Sequence, residues 1–262
     1  MFKRNVTILI VLIALGVSVL GYFIVKDLRS NTNFEGKSTD NIAKEPAEKK
    51  DSESLKPTPL DEGEAAAAKP LPPVPDLDRA IMYKALVREE DKPKIEAEIK
   101  IISQTLKDTP DYLDGWLQLG ILRKYIGDYE GAVFAWEYAA KIRPKDYVAF
   151  NNLGDIYHFY LKNLQKSESA IKKVIELRQD YTPAYKNLFE LYTLSYKEKV
   201  SLADDALIDG IAKNPKAYDL MIALAMYYKE NGDKTGARKY FEMALKLNPP
   251  NKSAIEAELN SI

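Results

Sequence analysis

Along most of the chain, apolar residues return every three or four positions. Ile95, Ile99, Ile102 and Leu106 follow at steps of four, three and four, which places them on one stripe of an α-helix. The spacing continues from Leu77 to Ile262 almost without a break, and β-branched alternation is absent. Residues 77–262 therefore read as all-α. Helices are predicted over about Leu77–Arg88 and Pro93–Lys107, followed by paired helices up to the end.

Two different patterns come first. Val6 to Val25 contains no charged residue. Twenty helical residues at about 1.5 Å each span roughly 30 Å, the thickness of a bilayer's hydrocarbon layer. A single N-terminal transmembrane helix is predicted within residues 1–26, with membrane contact through residues 6–25. A cleaved signal peptide is the alternative, but its apolar core usually runs only about 7–15 residues. Lys3 and Arg4 on one side and Lys26 and Arg29 on the other leave the positive-inside rule almost balanced. The short basic N-terminus is expected in the cytoplasm, with the rest on the extracytoplasmic side. Residues 27–76 are rich in Lys, Glu, Ser and Ala and end in "KPLPPVPD". With few large apolar residues and no period, they are expected to be a disordered linker reaching on the order of 40 Å.

The helical zone repeats itself. "GDYEGAVFAWEYAAKIRP" (Gly127 to Pro144) returns as "GDKTGARKYFEMALKLNP" (Gly232 to Pro249). The 105 residues between the two glycines equal three periods of 34 with three residues over, so two further copies are expected between them. They start at Tyr147 and Thr182, the first with one extra residue before Ser167 and the second with two before Ala203. The residue types have physical roles. Gly120, Gly154 and Ala225 let two antiparallel helices approach, and Trp116 and Phe150 fill the space between them. Gly127 and Gly232 suit the left-handed cap that ends a first helix, and Pro144, Pro215 and Pro249 stop the second.

This pattern resembles the tetratricopeptide repeat (TPR) family, on Trp116, Leu119, Gly120, Gly127, Asp128, Tyr129, Ala132, Trp136, Ala139 and Pro144 in one copy. Tyr218, Leu224, Ala225, Tyr228, Gly232, Asp233, Ala237, Phe241, Ala244 and Pro249 carry it in another. Arg123 departs from it, standing where an aromatic is usual. The resemblance implies a right-handed α-solenoid of helix-turn-helix repeats over 113–146, 147–181, 182–217 and 218–251. A degenerate capping repeat is expected over 77–112 and a closing helix over 252–262, since one helical pair cannot bury its stripe alone.

Composition narrows the chemistry. There is no cysteine and one histidine, His158, which excludes disulfides, thiolate chemistry and a zinc-type cluster. A formal net charge of −1 gives no reason to expect nucleic acid. "EGKST" at Glu35 to Thr39 lacks the earlier glycine and the strand of a phosphate-binding loop. No catalytic residue, cofactor or metal is expected, and His158 is expected to be structural.

The resemblance further implies a scaffold that holds a protein or peptide partner in a concave groove lined by the first helix of each repeat. The implied lining is Leu117, Ile121, Tyr125, Asn151, Asp155, Phe159, Lys186 and Glu190, with Ile222, Met226, Lys124, His158, Thr193 and Leu194 in the same columns. Leu117 with Ile121 and Asn151 with Asp155 do not make the Lys and Asn clamp that some members use for C-terminal carboxylates. An apolar, amide-bearing groove suits an amphipathic helix or an extended peptide. A self-associating structural protein without a separate ligand is the competing expectation, with a homo-oligomer as its consequence.

Overall fold

In repeats one, two and four a polar side chain opens the second helix and a left-handed residue closes the first. Asp128, Asn163 and Asp233 accept the amides of Gly131, Lys166 and Gly236, capping the helices that follow them. Gly127 and Gly232 take φ of 81° just before those caps, as expected of them. The second repeat has no glycine there. Lys162 takes that place at φ 54°, directly before the Asn163 cap. The two extra residues of the third repeat lengthen its turn: Leu191–Ser195 widens into a π-helical turn and Lys197–Leu202 forms a 3₁₀ helix before the second helix begins.

The computed structural model describes residues 70–262, and the following elements lie among them. Helix α1 is Lys92–Asp108. The four pairs are α2 (Leu113–Tyr125) with α3 (Tyr129–Ile142), α4 (Tyr147–Phe159) with α5 (Leu164–Leu177), α6 (Thr182–Glu190) with α7 (Ala203–Lys213), and α8 (Tyr218–Glu230) with α9 (Lys234–Lys246). Helix α10 (Lys252–Asn260) closes the run. The expected anchor at residues 6–25 and linker residues 27–69 lie outside the described residues. Among the described residues no helix is long and apolar enough to cross a membrane.

Packing is local along the run. Each helix packs chiefly on its neighbours in sequence, with α6 also reaching α8. The core is accordingly a series of adjoining clusters. One joins α1, α2 and α3, the next α3, α4 and α5, the next α5, α6 and α7, and the last gathers α6 through α10. This nearest-neighbour arrangement makes the domain an all-α solenoid. The repeat register shows in the column Ala132, Ser167, Ala203 and Ala237, all fully buried where the second helix enters its pair. Gly120 explains how close the first pair comes: a Cβ there would lie 2.2 Å from the Trp136 indole, which donates to the Leu117 carbonyl at 3.1 Å.

A second column ties one repeat to the next. Tyr157, Tyr192 and Tyr228 occupy the same position in repeats two, three and four. Each hydroxyl donates to an acid on the preceding second helix: Glu137 at 2.9 Å, Glu168 at 2.8 Å and Asp204 at 3.1 Å. The Glu168 seam is the densest. Burial opposes its charge, yet Lys172, Lys199 and Tyr192 hold the carboxyl down at about 2.

One expectation fails at the N-terminal end. Leu77–Arg88 is not a helix, so 77–112 is not a degenerate helical pair; α1 alone has helical form there. Residues 70–91 instead run as an irregular, largely extended strap. Its side chains alternate: Leu77, Arg79, Ile81, Tyr83, Ala85 and Val87 turn inward, while Asp78, Ala80, Met82, Lys84 and Leu86 face out. The last residues of the expected linker, 70–76, belong to this strap, where the Pro72 carbonyl accepts from the Tyr138 hydroxyl at 3.4 Å. Extended backbone has no partner of its own, so its groups must bond to the repeat beneath it.

Candidate functional site: the face of the first helices

Helices α2, α4, α6 and α8 are the first helices of the four repeats, and their 3.6-residue period brings every third or fourth residue to one face. Ile121, Tyr125, Phe159 and Leu194 stand out on that face, 45%, 51%, 47% and 56% exposed. Large apolar side chains left open at corresponding positions of three successive repeats form an interrupted row rather than scattered single residues.

Around the row the columns carry polar groups. Lys124 on α2 pairs with Asp155 on α4, so the structure brings these two columns into contact. The Lys124 ammonium also sits 4.8 Å from the Tyr160 ring centre, and Tyr160 packs against Tyr129 at 4.7 Å. Lys186 and Glu190 are half-buried one turn apart on α6. Burial pushes the Glu190 carboxyl above its ordinary value, and Lys186 offsets this only in part. Asn151, Ile222 and Met226 are half-buried, the last two against the final core cluster.

Two expected lining residues play other roles. His158 is buried, with Nε2 2.8 Å from Ser195 Oγ and its ring 4.0 Å from that of Phe159. Burial, and then Lys162, lower its pKa, so it is a neutral packing group that fixes the π-helical turn. Leu117 is half-buried between the first two core clusters, so it supports the face more than it presents it.

Sequence reasoning missed a polar cluster at the other side of α2. Arg123 is buried, and its Nη2 donates to the Arg79 carbonyl at 2.7 Å and its Nη1 to the Ala80 carbonyl at 2.8 Å. Nη1 also lies 3.2 Å from Asp128 Oδ2. Asp128 grips Arg79 through two parallel bonds of 2.7 and 2.8 Å. Burial alone would raise the Asp128 carboxyl, but Arg79 and the Gly131 amide bring it below its usual range. The signal was present: Arg123 breaks the column that Tyr157, Tyr192 and Tyr228 fill. Among the described residues no group of three or more His, Asp or Glu is arranged to hold a metal ion. A cleft of about 330 Å³ lies elsewhere, along α9, lined by Lys234, Thr235, Arg238, Lys239, Glu242 and Ile262.

Comparison with known proteins agrees with the repeat register. Residues 147–181 and 218–251 each match a tetratricopeptide repeat model, so the chain contains tetratricopeptide repeats. Among curated proteins, it is 28% identical over 120 residues to the human (Homo sapiens) protein O-mannosyl-transferase TMTC3, covering 45% of this chain and 13% of that one. It is 25% identical over 179 residues to the bovine (Bos taurus) BBSome complex member BBS4, covering 68% of this chain and 33% of that protein. The chain thus spans no more than a third of the length of these relatives. Among solved structures, a crystal structure of MamA superposes with a TM-score of 0.47 and 22% identity, covering 63% of this chain and 96% of that chain.

Proposed function

We propose that this protein is a non-enzymatic scaffold that binds a protein or peptide partner on the face of its first helices, tethered to a membrane through residues 6–25. The observation that carries the binding role is the row Ile121, Tyr125, Phe159 and Leu194, left exposed in matching columns of three successive repeats. Polar groups border the row: the Lys124–Asp155 pair on one part, Lys186 and half-buried Glu190 on another. An amphipathic helix or extended segment with apolar anchors fits such a row, since an apolar face supplies affinity and bordering charges supply register. The uncharged run Val6–Val25 supports the tether. In this reading Lys3 and Arg4 lie on the cytoplasmic side and the repeat domain on the extracytoplasmic side.

The test is site-specific photo-crosslinking of the full chain in its membrane. A photoreactive residue replaces Phe159 in one version and Ile208, exposed on α7, in another. The expected result is a partner captured from position 159, absent from position 208, and lost when Tyr125→Glu is added. Equal capture from both positions refutes the reading, and capture of a second copy of this chain alone replaces it with self-association.

A further inference from the structure

The strap of residues 70–91 covers part of the first repeat around Arg123, Ile126 and Asp128. Three kinds of contact hold the strap. Its backbone is gripped directly: Arg123 donates to the carbonyls of Arg79 and Ala80, and the Ile126 carbonyl accepts the amides of Lys84 and Ala85 at 2.8 and 3.1 Å. One charged side chain is selected, because Asp128 binds the Arg79 guanidinium in a two-pronged geometry. Alternate apolar side chains are seated, with Leu77 buried and Ile81, Tyr83 and Val87 against the same cluster of α1, α2 and α3.

The fit is close. The void left beneath the strap, lined by Leu77, Arg79, Trp116, Arg123 and Phe134 among others, is about 10 Å³, room for at most one water. The strap is nevertheless held from one side only. Met82 and Leu86 on its outer edge are exposed, the latter completely. Arg123 also ties the surface to this use. The three other repeats place a tyrosine there that bonds an acid of the preceding repeat, whereas Arg123 bonds two strap carbonyls. Backbone bonding combined with pockets for alternate side chains is how proteins bind extended peptides.

We propose that the strap is a ligand held in cis, and that the outer side of repeat one is an extended-peptide site. The ligand class it takes is an extended segment with an arginine flanked two residues away on each side by apolar residues, as in Leu77-x-Arg79-x-Ile81. A partner segment of that pattern exchanges with the strap when the strap opens. This site goes beyond the groove reading and does not depend on it.

The test begins with hydrogen exchange on the full wild-type chain. The Lys84 and Ala85 amides are expected to exchange through a local opening, faster than the α2 and α3 amides beneath them. With Arg79→Ala they are expected to exchange roughly tenfold to a hundredfold faster still, the scale for losing a charge-assisted hydrogen bond, while α6–α9 amides keep their rates. A labelled synthetic peptide of residues 74–88, added to the full-length Arg79→Ala protein, is expected to bind by fluorescence anisotropy. The same peptide carrying Arg79→Glu is expected not to. If the wild-type strap amides exchange only together with those of α2 and α3, the strap is an integral part of the repeat and the proposal is overturned. Equal binding of the two peptides, or binding of neither, overturns it as well.

Discussion

Gly127 and Gly232 share one backbone conformation and differ in what lies beside them, so replacing each by alanine separates local strain from strap contact. Both sit at φ 81°, and the left-handed conformation costs an L-residue about 1–2 kcal/mol at either position. A Cβ at Gly232 meets nothing within 4 Å, so Gly232→Ala is expected to cost that amount and no more. A Cβ at Gly127 would lie 2.7 Å from the Ala85 nitrogen and 2.9 Å from the Lys84 carbonyl carbon, both strap backbone. The strap must move away, and the two amide bonds to the Ile126 carbonyl lengthen or break. At about 1 kcal/mol each, their loss adds about 2 kcal/mol, or roughly thirtyfold in strap opening. Urea unfolding of both variants, with hydrogen exchange at Lys84 and Ala85, measures the difference. Gly127→Ala is expected to be the more destabilised and to expose those two amides, whereas Gly232→Ala leaves their rates unchanged. Equal stability losses, with unchanged strap exchange in both, refute the strap contact as the cause.

Two more predictions rest on the packing seams. Gly120→Ala drives a Cβ into the buried Trp136 indole at 2.2 Å, whereas the closest atom to a Cβ at Gly154 is Ile171 Cγ1 at 3.0 Å, with nothing else nearer than 3.7 Å. Urea denaturation is expected to show a loss of about 2–3 kcal/mol for the first and under about 1 kcal/mol for the second. Glu168 is held below its ordinary 4.5, at about 2, so its stabilisation is fully present above pH 4.5 and is lost as pH falls through 2. The stability gap between wild type and Glu168→Gln, followed by acid titration of circular dichroism, is expected to close over that window; a pH-independent gap contradicts the charged seam.

The repeats were legible because their signals are redundant. Gly127, Asp128, Ala132, Trp136 and Pro144 each constrain the same hairpin, and the insertion arithmetic located copies with weaker patterns. Even so, the arithmetic could not say where the extra residues go. In the third repeat they widen the end of the first helix into a π-helical turn, beside the His158–Ser195 contact. The repeat register assigns columns to the first helices, but sequence cannot rank the exposure of the residues in them. Leu117 and Phe159 look equally apolar, and only the neighbouring second helix covers one and leaves the other open.

The strap failed as a sequence expectation because it satisfies two periods together. Leu77, Ile81, Ala85 and Arg88 fit helical steps, while Leu77, Arg79, Ile81, Tyr83, Ala85 and Val87 fit a step of two. The apolar Met82 and Leu86 concealed the alternation, since a half-buried extended segment would normally place polar residues there. What decides between the two periods lies elsewhere in the chain. A helix over 77–88 would satisfy its own backbone and leave the buried Arg123 guanidinium without the carbonyls of Arg79 and Ala80. Asp128 would still pair with it, but buried guanidinium N–H groups left without acceptors cost about 1–3 kcal/mol each, more than a short helix gains from propensity. Arg123, the departure from the pattern in the first copy, therefore favours an extended conformation more than forty residues away.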